Sequence, residues 1–208
     1  MRTWAVINQK GGAGKSSLCV HLAVHAVAQG EHVLIVDLDP QENAKGWQLR
    51  RGEARGRPMV VAAVPENLGK VLKGAVPLGF TLAIIDTAGK IDAVALDVIR
   101  ISDLIIAPTL PNFFDIEALR GTVELIKQAR KIDRAVCVVN GVNARSADRD
   151  FSDAATRAAD LGISVAPAYC SHRVAFADAI AAGKGVSEFA PKTDKAVKEI
   201  AALWKALK

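Results

Sequence analysis

Short aliphatic runs alternate with longer amphipathic stretches from one end of this 208-residue chain to the other. Thr3 to Asn8 is the first apolar run and meets a glycine cluster, which predicts a buried strand entering a loop. Leu18, Leu22 and Val27, with Gly30 just beyond, predict a helix over Ser16 to Gln29. Strands are predicted at His32 to Val36, ending in Asp37, at Met59 to Val64, at Thr81 to Ile85, ending in Asp86, at Leu104 to Ala107 and at Ala135 to Val139. Between them, helices are predicted over Glu66 to Ala75, Asp92 to Ile101 and Ile116 to Lys131, with Gln41 to Gly52 helical or looped. Arg50 to Arg57 reads as a polar, basic surface segment. A helix, a short strand and a helix fill Asp148 to Ala182, and a final helix runs from Thr193 to Leu207. Such alternation predicts an α/β fold, a mostly parallel twisted sheet with helices on both faces. No repeat, low-complexity tract or linker interrupts it, so residues 1–208 read as one domain.

Composition narrows this picture. Half of the residues are hydrophobic but only 5% are aromatic, so Ala, Val, Ile and Leu must fill the core. The formal charge of +5 and pI near 9.2 are compatible with a polyanionic partner without specifying one. Cys19, Cys137 and Cys170 are widely spaced, with no CxxC, and read as small buried hydrophobes in a reducing cytoplasm. An apolar strand starts at Thr3, so no signal peptide is expected, and no apolar run approaches the ~20 residues that span a bilayer.

The chemistry begins at Lys10-Gly11-Gly12-Ala13-Gly14-Lys15-Ser16, between the first strand and first helix. Glycines let the backbone bend so that several N–H groups converge on phosphate oxygens, and the helix N-terminus adds its own unpaired donors. Lys15 is suited to the β- and γ-phosphates and the Ser16 hydroxyl to magnesium. Gln9 stands where the general phosphate-loop pattern has a glycine, and Lys10 precedes two glycines instead. This arrangement resembles the deviant Walker A signature, KGGxGK[ST], of the ParA/MinD family of ATPases. The resemblance implies ATP and Mg2+ as cofactors, held by Lys10 through Ser17, and a homodimer that closes around ATP. It also implies that Lys10 crosses the dimer interface to the partner's phosphates and serves catalysis with Lys15.

Three further segments fit the same family. Val33 to Gln41 looks like its second motif, a strand ending in Asp37-Leu38-Asp39-Pro40-Gln41. By resemblance Asp39 positions or activates the attacking water and Asp37 supports magnesium. Leu82 to Asp86 looks like a Walker B strand whose Asp86 also serves the metal, and Thr87-Ala88-Gly89 resembles a phosphate-sensing switch, with Ala88 where many relatives have proline. Pro108 to Pro111 and Asp115 correspond to a region near the nucleotide and the interface, and Asn140 to a position that contacts adenine.

Arg173 to Ala179 and Gly183 to Glu188 resemble the short partition ATPases of plasmids and relatives that position carboxysomes or chemoreceptor clusters. The resemblance implies a cytoplasmic, nucleoid-associated ATPase that binds nonspecific DNA as an ATP dimer. A cargo-bound partner protein would stimulate its hydrolysis. Because the sequence starts at the first strand, a DNA-binding extension and operator recognition are not expected. Six lysines against three acids from Lys184 onward offer phosphate contacts at Lys184, Lys192, Lys195, Lys198 and Lys205, and Arg173 is the favoured cation. A rival reading, a membrane-associating relative of the MinD kind, would use Val197, Ile200, Ala201, Trp204 and Leu207 as an amphipathic face, although that stripe also suits a core helix. An iron-cluster carrier lacks suitably paired cysteines, and Lys15, Ser16, Asp39 and Asp86 together argue against a nonhydrolytic module. His21 and His25, one helical turn apart, are expected to be partly exposed, with no third metal ligand.

Overall fold

The computed structural model describes residues 1–52, 56–89 and 93–208. β1 (Arg2–Val6) leads into the glycine loop, and α1 (Lys15–Ala28), β2 (Val33–Asp37), α2 (Asn43–Arg51) and β3 (Met59–Ala62) follow. Next come α3 (Leu68–Ala75), β4 (Leu82–Asp86), α4 (Ala93–Ile101), β5 (Leu104–Thr109) and α5 (Phe113–Gln128). The chain ends with β6 (Ala135–Val142), α6 (Ala147–Asp160), β7 (Ser164–Val165), β8 (Cys170–Ser171), α7 (Val174–Ala181), α8 (Val186–Phe189) and α9 (Lys195–Leu207). The expected start of the fourth helix at Asp92 lies outside the described residues.

The strands pair in the order β3-β2-β4-β1-β5-β6-β7, every described pairing parallel, with β8 added to the end of β6. Burial on both faces explains why β2 and β4 are apolar until their final aspartates. β1 has β4 on one side and β5 on the other, so the chain departs in opposite directions around it and a crevice opens at the carboxyl ends of these strands. Register brings the motifs to that crevice: Val6 and Asp37 are both paired with Asp86.

One face of the sheet packs on α1 and α9, where the Trp4 and Trp204 rings lie 5.2 Å apart. The opposite face packs on α4, α5 and α6 around Ile99, Leu119 and Ala154. Val197, Ile200, Trp204 and Leu207 are buried in the first of these layers. The stripe considered for a membrane is therefore consumed by the core, and no described helix is long and apolar enough to cross one. All three cysteines are buried.

Several expectations need correction. His21 and His25 are buried, not partly exposed, because α1 is covered by α7 and α8 as well as α9. Their ring nitrogens serve internal contacts: His21 Nδ1 accepts from the Val186 N–H at 3.1 Å, and His25 Nδ1 lies 3.1 Å from Ser187 Oγ. β6 runs past its expected end at Val139 to Val142, because β8 pairs with its last residues across an irregular register. β8 and α8, of 2 and 4 residues, are too short for a periodic signal.

Candidate active site

The phosphate loop is shaped by where it enters α1. Gly14 is the N-cap at φ 86°, and a Cβ there would collide with the Asn140 side-chain amide. No side chain caps this helix and its first turn carries no acid, so the leading N–H groups are left for an anion. The Asn140 amide donates to the Ala13 carbonyl at 3.1 Å, and its oxygen accepts from the Gly141 N–H at 3.0 Å. Asn140, expected at adenine, thus braces the loop from β6 while also lining the adjacent cavity. On the other side, the Gln9 N–H donates to Thr122 Oγ1 of α5 at 3.2 Å, and the Asn8 amide donates to the Pro108 carbonyl at 2.7 Å. These braces escaped the sequence reading, since nothing local links Gln9 to a threonine 113 positions away.

Lys15 is buried and folds back onto the loop, its Nζ donating to the Lys10 carbonyl at 3.3 Å. Burial lowers its pKa, and Asp86 and Asp39 favour its charge. Lys10 Nζ is 2.7 Å from Asp115 Oδ1. Asp115 is itself buried at the start of α5, where its N–H is capped by Asn112 Oδ1 at 3.0 Å.

The three carboxylates differ. Asp37 is buried and accepts from the Asp39 N–H at 3.1 Å and the Lys45 N–H at 3.0 Å, so it anchors the start of α2. Burial raises its pKa against those hydrogen bonds. Asp39 is half-buried and accepts from the Gln41 N–H at 2.9 Å. Asp86 is fully buried, and neither oxygen has a hydrogen-bond partner among the described residues. Burial pushes its pKa up to about 7, with the Ser16 hydroxyl and Lys15 opposing that shift and Asp37 and Asp39 adding to it. A buried carboxylate without partners, beside a hydroxyl and a second carboxylate, is an oxygen donor set that fits Mg2+. Gly89 closes the floor: a Cβ there would sit 3.3 Å from the Gly11 nitrogen and 3.4 Å from Lys15 Nζ. Thr87 Oγ1 donates to the Val6 carbonyl at 2.9 Å, tying this segment to β1.

The remaining candidates lie farther along the chain. Arg173 donates through Nε and Nη2 to Glu199 Oε1, at 2.9 and 2.7 Å. Lys192, Lys195, Lys198 and Lys205 are exposed, and Lys184 lies over the Phe189 ring, 6.0 Å from its centroid.

Residues 4–186 match the family described as the CobQ/CobB/MinD/ParA nucleotide binding domain. The chain belongs to this family. Among curated relatives, the maintenance of carboxysome distribution protein A of Gloeobacter kilaueensis is 37% identical over 59% of this chain and 55% of its own. The chromosome-partitioning ATPase Soj of Thermus thermophilus is 26% identical over 62% of this chain and 63% of its own. The chain thus spans less than two thirds of these two proteins. It spans 92% of the carboxysome distribution protein A of Halothiobacillus neapolitanus, at 29% identity over 95% of this chain. The MinC:MinD cell division protein complex of Aquifex aeolicus has a chain that superposes with TM-score 0.80 at 14% identity, covering 100% of this chain and 96% of that one. At that identity the likeness is one of fold. The family is one of nucleotide binding domains, and in this chain the glycine loop, Asp37 and Asp86 meet at the carboxyl ends of β1, β2 and β4.

Proposed function

We propose that the chain is an ATP-hydrolysing switch whose ATP-bound dimer binds nonspecific DNA and positions or partitions a cargo, with a cargo-bound protein stimulating hydrolysis. The observation that carries this reading is the gathering of Lys15, Ser16, Asp39 and Asp86 at one bare helix N-terminus, with Lys10 on the adjoining loop paired to Asp115. Lys15 and the loop N–H groups hold the phosphates, and Ser16, Asp86 and Asp37 would hold Mg2+, which supplies neutralisation of phosphate charge when bound. Asp39 orients the attacking water. Relatives named for chromosome partitioning and carboxysome distribution support a positioning role.

Lys10 reaches a partner's phosphates by exchanging Asp115 for them, so two chains close only where phosphate replaces that carboxylate. DNA contacts come from the exposed Lys192, Lys195 and Lys198, whose number doubles in the dimer. Sedimentation with Mg2+ and ATP tests the first point: the wild-type chain should dimerise, and Lys10→Ala should bind ATP yet stay monomeric. A normal Lys10→Ala dimer removes the crossing lysine from the reading. For the second point, Lys192→Glu combined with Lys195→Glu and Lys198→Glu should abolish ATP-dependent DNA retention, and unchanged retention would move the DNA surface elsewhere.

A further inference from the structure

A cavity of about 250 Å³ opens beside the phosphate loop, lined by Gly14, Ser17, Asn140, Ser171, Arg173 and Phe176 among others. Asp37, Asp39 and Asp86 do not line it; Asp39 faces a separate hollow with Gly11 and Gly89. On the reading above, the terminal phosphates lie toward these carboxylates, which would hold the metal. Two cavities border Ser17, one of about 640 Å³ toward Gln41, Trp47 and Arg50 and the other the 250 Å³ cavity. The latter also reaches Gly12, Gly14 and Asn140, so it lies along the loop itself and suits the rest of the nucleotide. Arg173 is the one lysine, arginine or carboxylate residue among the described residues lining it.

We propose that Arg173, held in place by Glu199, is the cation that grips the nucleoside end of the bound nucleotide. Glu199 is its positioning residue. The inference rests on the nucleotide reading above and adds a residue that sets affinity for the base and sugar.

Glu199, on α9, collects four donors. Its Oε2 accepts the Ser171 N–H at 2.9 Å, and its Oε1 accepts Ser171 Oγ at 2.8 Å and Arg173 Nε and Nη2 at 2.9 and 2.7 Å. Two bonds from one guanidinium fix its plane, and the pair is largely enclosed, with side-chain exposures of 23% and 14%. Nη1 is left without a hydrogen-bond partner among the described residues. Several other polar groups on the wall are committed, whereas His21 Nε2 is buried without a hydrogen-bond partner among the described residues. Asn140 spends its oxygen and an amide hydrogen on the backbone, Ser171 donates to Glu199, and His21 Nδ1 accepts from Val186. A fixed guanidinium with free N–H groups and an open face suits ring nitrogens and sugar hydroxyls as acceptors, and a purine as a stacking partner. The same pairing makes Arg173 a poor free cation for DNA, because a phosphate would have to displace Glu199.

Calorimetric titration with Mg2+ and either ATP or inorganic tripolyphosphate tests this on the full chain. Arg173→Ala should weaken ATP binding about tenfold and leave tripolyphosphate within about twofold of wild type. Glu199→Ala should reproduce that selective loss, and the double variant should be no worse than either single one, because the two act as a unit. Arg173→Lys, which keeps the charge without the fork, should lose about fivefold for ATP alone and covers the case of an unfolded alanine variant. Unchanged ATP affinity in Arg173→Ala, with or without lost DNA retention, overturns the proposal. An equal fall for ATP and tripolyphosphate overturns it too, as a structural effect. A wild-type chain that binds neither ligand overturns the nucleotide reading and this proposal with it.

Discussion

The two flanks of the phosphate loop are built on opposite terms. On the carboxylate flank, a fully buried Asp86 has no hydrogen-bond partner among the described residues. On the cavity flank, Asn140, Ser171, Arg173 and Glu199 are bonded to one another or to backbone. A buried charge without partners costs stability and is retained where an external ion completes it. Satisfied polar groups hold a wall still, so that binding a ligand needs little ordering. On the proposed reading, the first flank suits chemistry and the second recognition. The first also needs a brace away from the chemistry. Arg51, buried at the end of α2, donates to both Glu188 oxygens at 2.7 and 2.8 Å and to the Gly183 carbonyl at 3.2 Å, fixing α2 and hence the Asp37–Asp39 turn.

The contrast breaks most sharply at that brace. Arg51→Ala should lower stability by about 3 kcal/mol, because a buried guanidinium is lost together with its hydrogen bonds to Glu188 and to the Gly183 and Arg57 carbonyls. Urea denaturation measures this, and a loss below 1 kcal/mol would mean that α2 is held by packing alone. Next in size, Lys15→Ala should weaken ATP and tripolyphosphate alike, by about a hundredfold, as befits a phosphate-flank residue. A selective loss of ATP would blur the division between the flanks.

The third prediction concerns His21 on the cavity flank. Burial lowers its pKa to about 4, below the unfolded value, so the unfolded chain binds the extra proton first as pH falls. Its stabilising share is complete above pH 7 and is lost through the window from 6.5 to about 4. Denaturation at pH 7 and pH 5 should differ by about 2 kcal/mol more in the wild type than in His21→Gln. Equal differences would mean that the ring is protonated in the folded chain. Smallest is Asp86→Asn, which should raise the stability of the ligand-free chain by about 1 kcal/mol while removing the effect of Mg2+ on ATP binding. A destabilised variant would show that Asp86 is satisfied internally.

Much of the carboxylate flank was legible from sequence. Phosphate-loop glycines, Lys15, Ser16, and Asp37 and Asp86 at strand ends are local signals, because a loop chemistry or a strand terminus needs that residue type at that spacing. Alternating aliphatic strands and amphipathic helices likewise gave away the parallel sheet. On the cavity flank Ser17 and Asn140 were named by resemblance, but the pairings of its wall were not legible. Arg173 read as a free cation because Glu199, 26 positions later, carries no mark of its partner. His21 and His25 read as half-exposed because helical spacing does not reveal that α1 is covered on several sides.

By itself, then, the sequence determined the phosphate loop, the strand-end carboxylates, the second lysine at Lys10 and the fold class. Each of these rests on near neighbours or on the period of one element. Only the tertiary structure decided which charges are paired: Lys10 with Asp115, Arg51 with Glu188, Arg173 with Glu199, and Asp86 with none among the described residues. Pairing depends on which distant elements the sheet order and helix packing bring within hydrogen-bond reach, and that distance is a property of the folded chain.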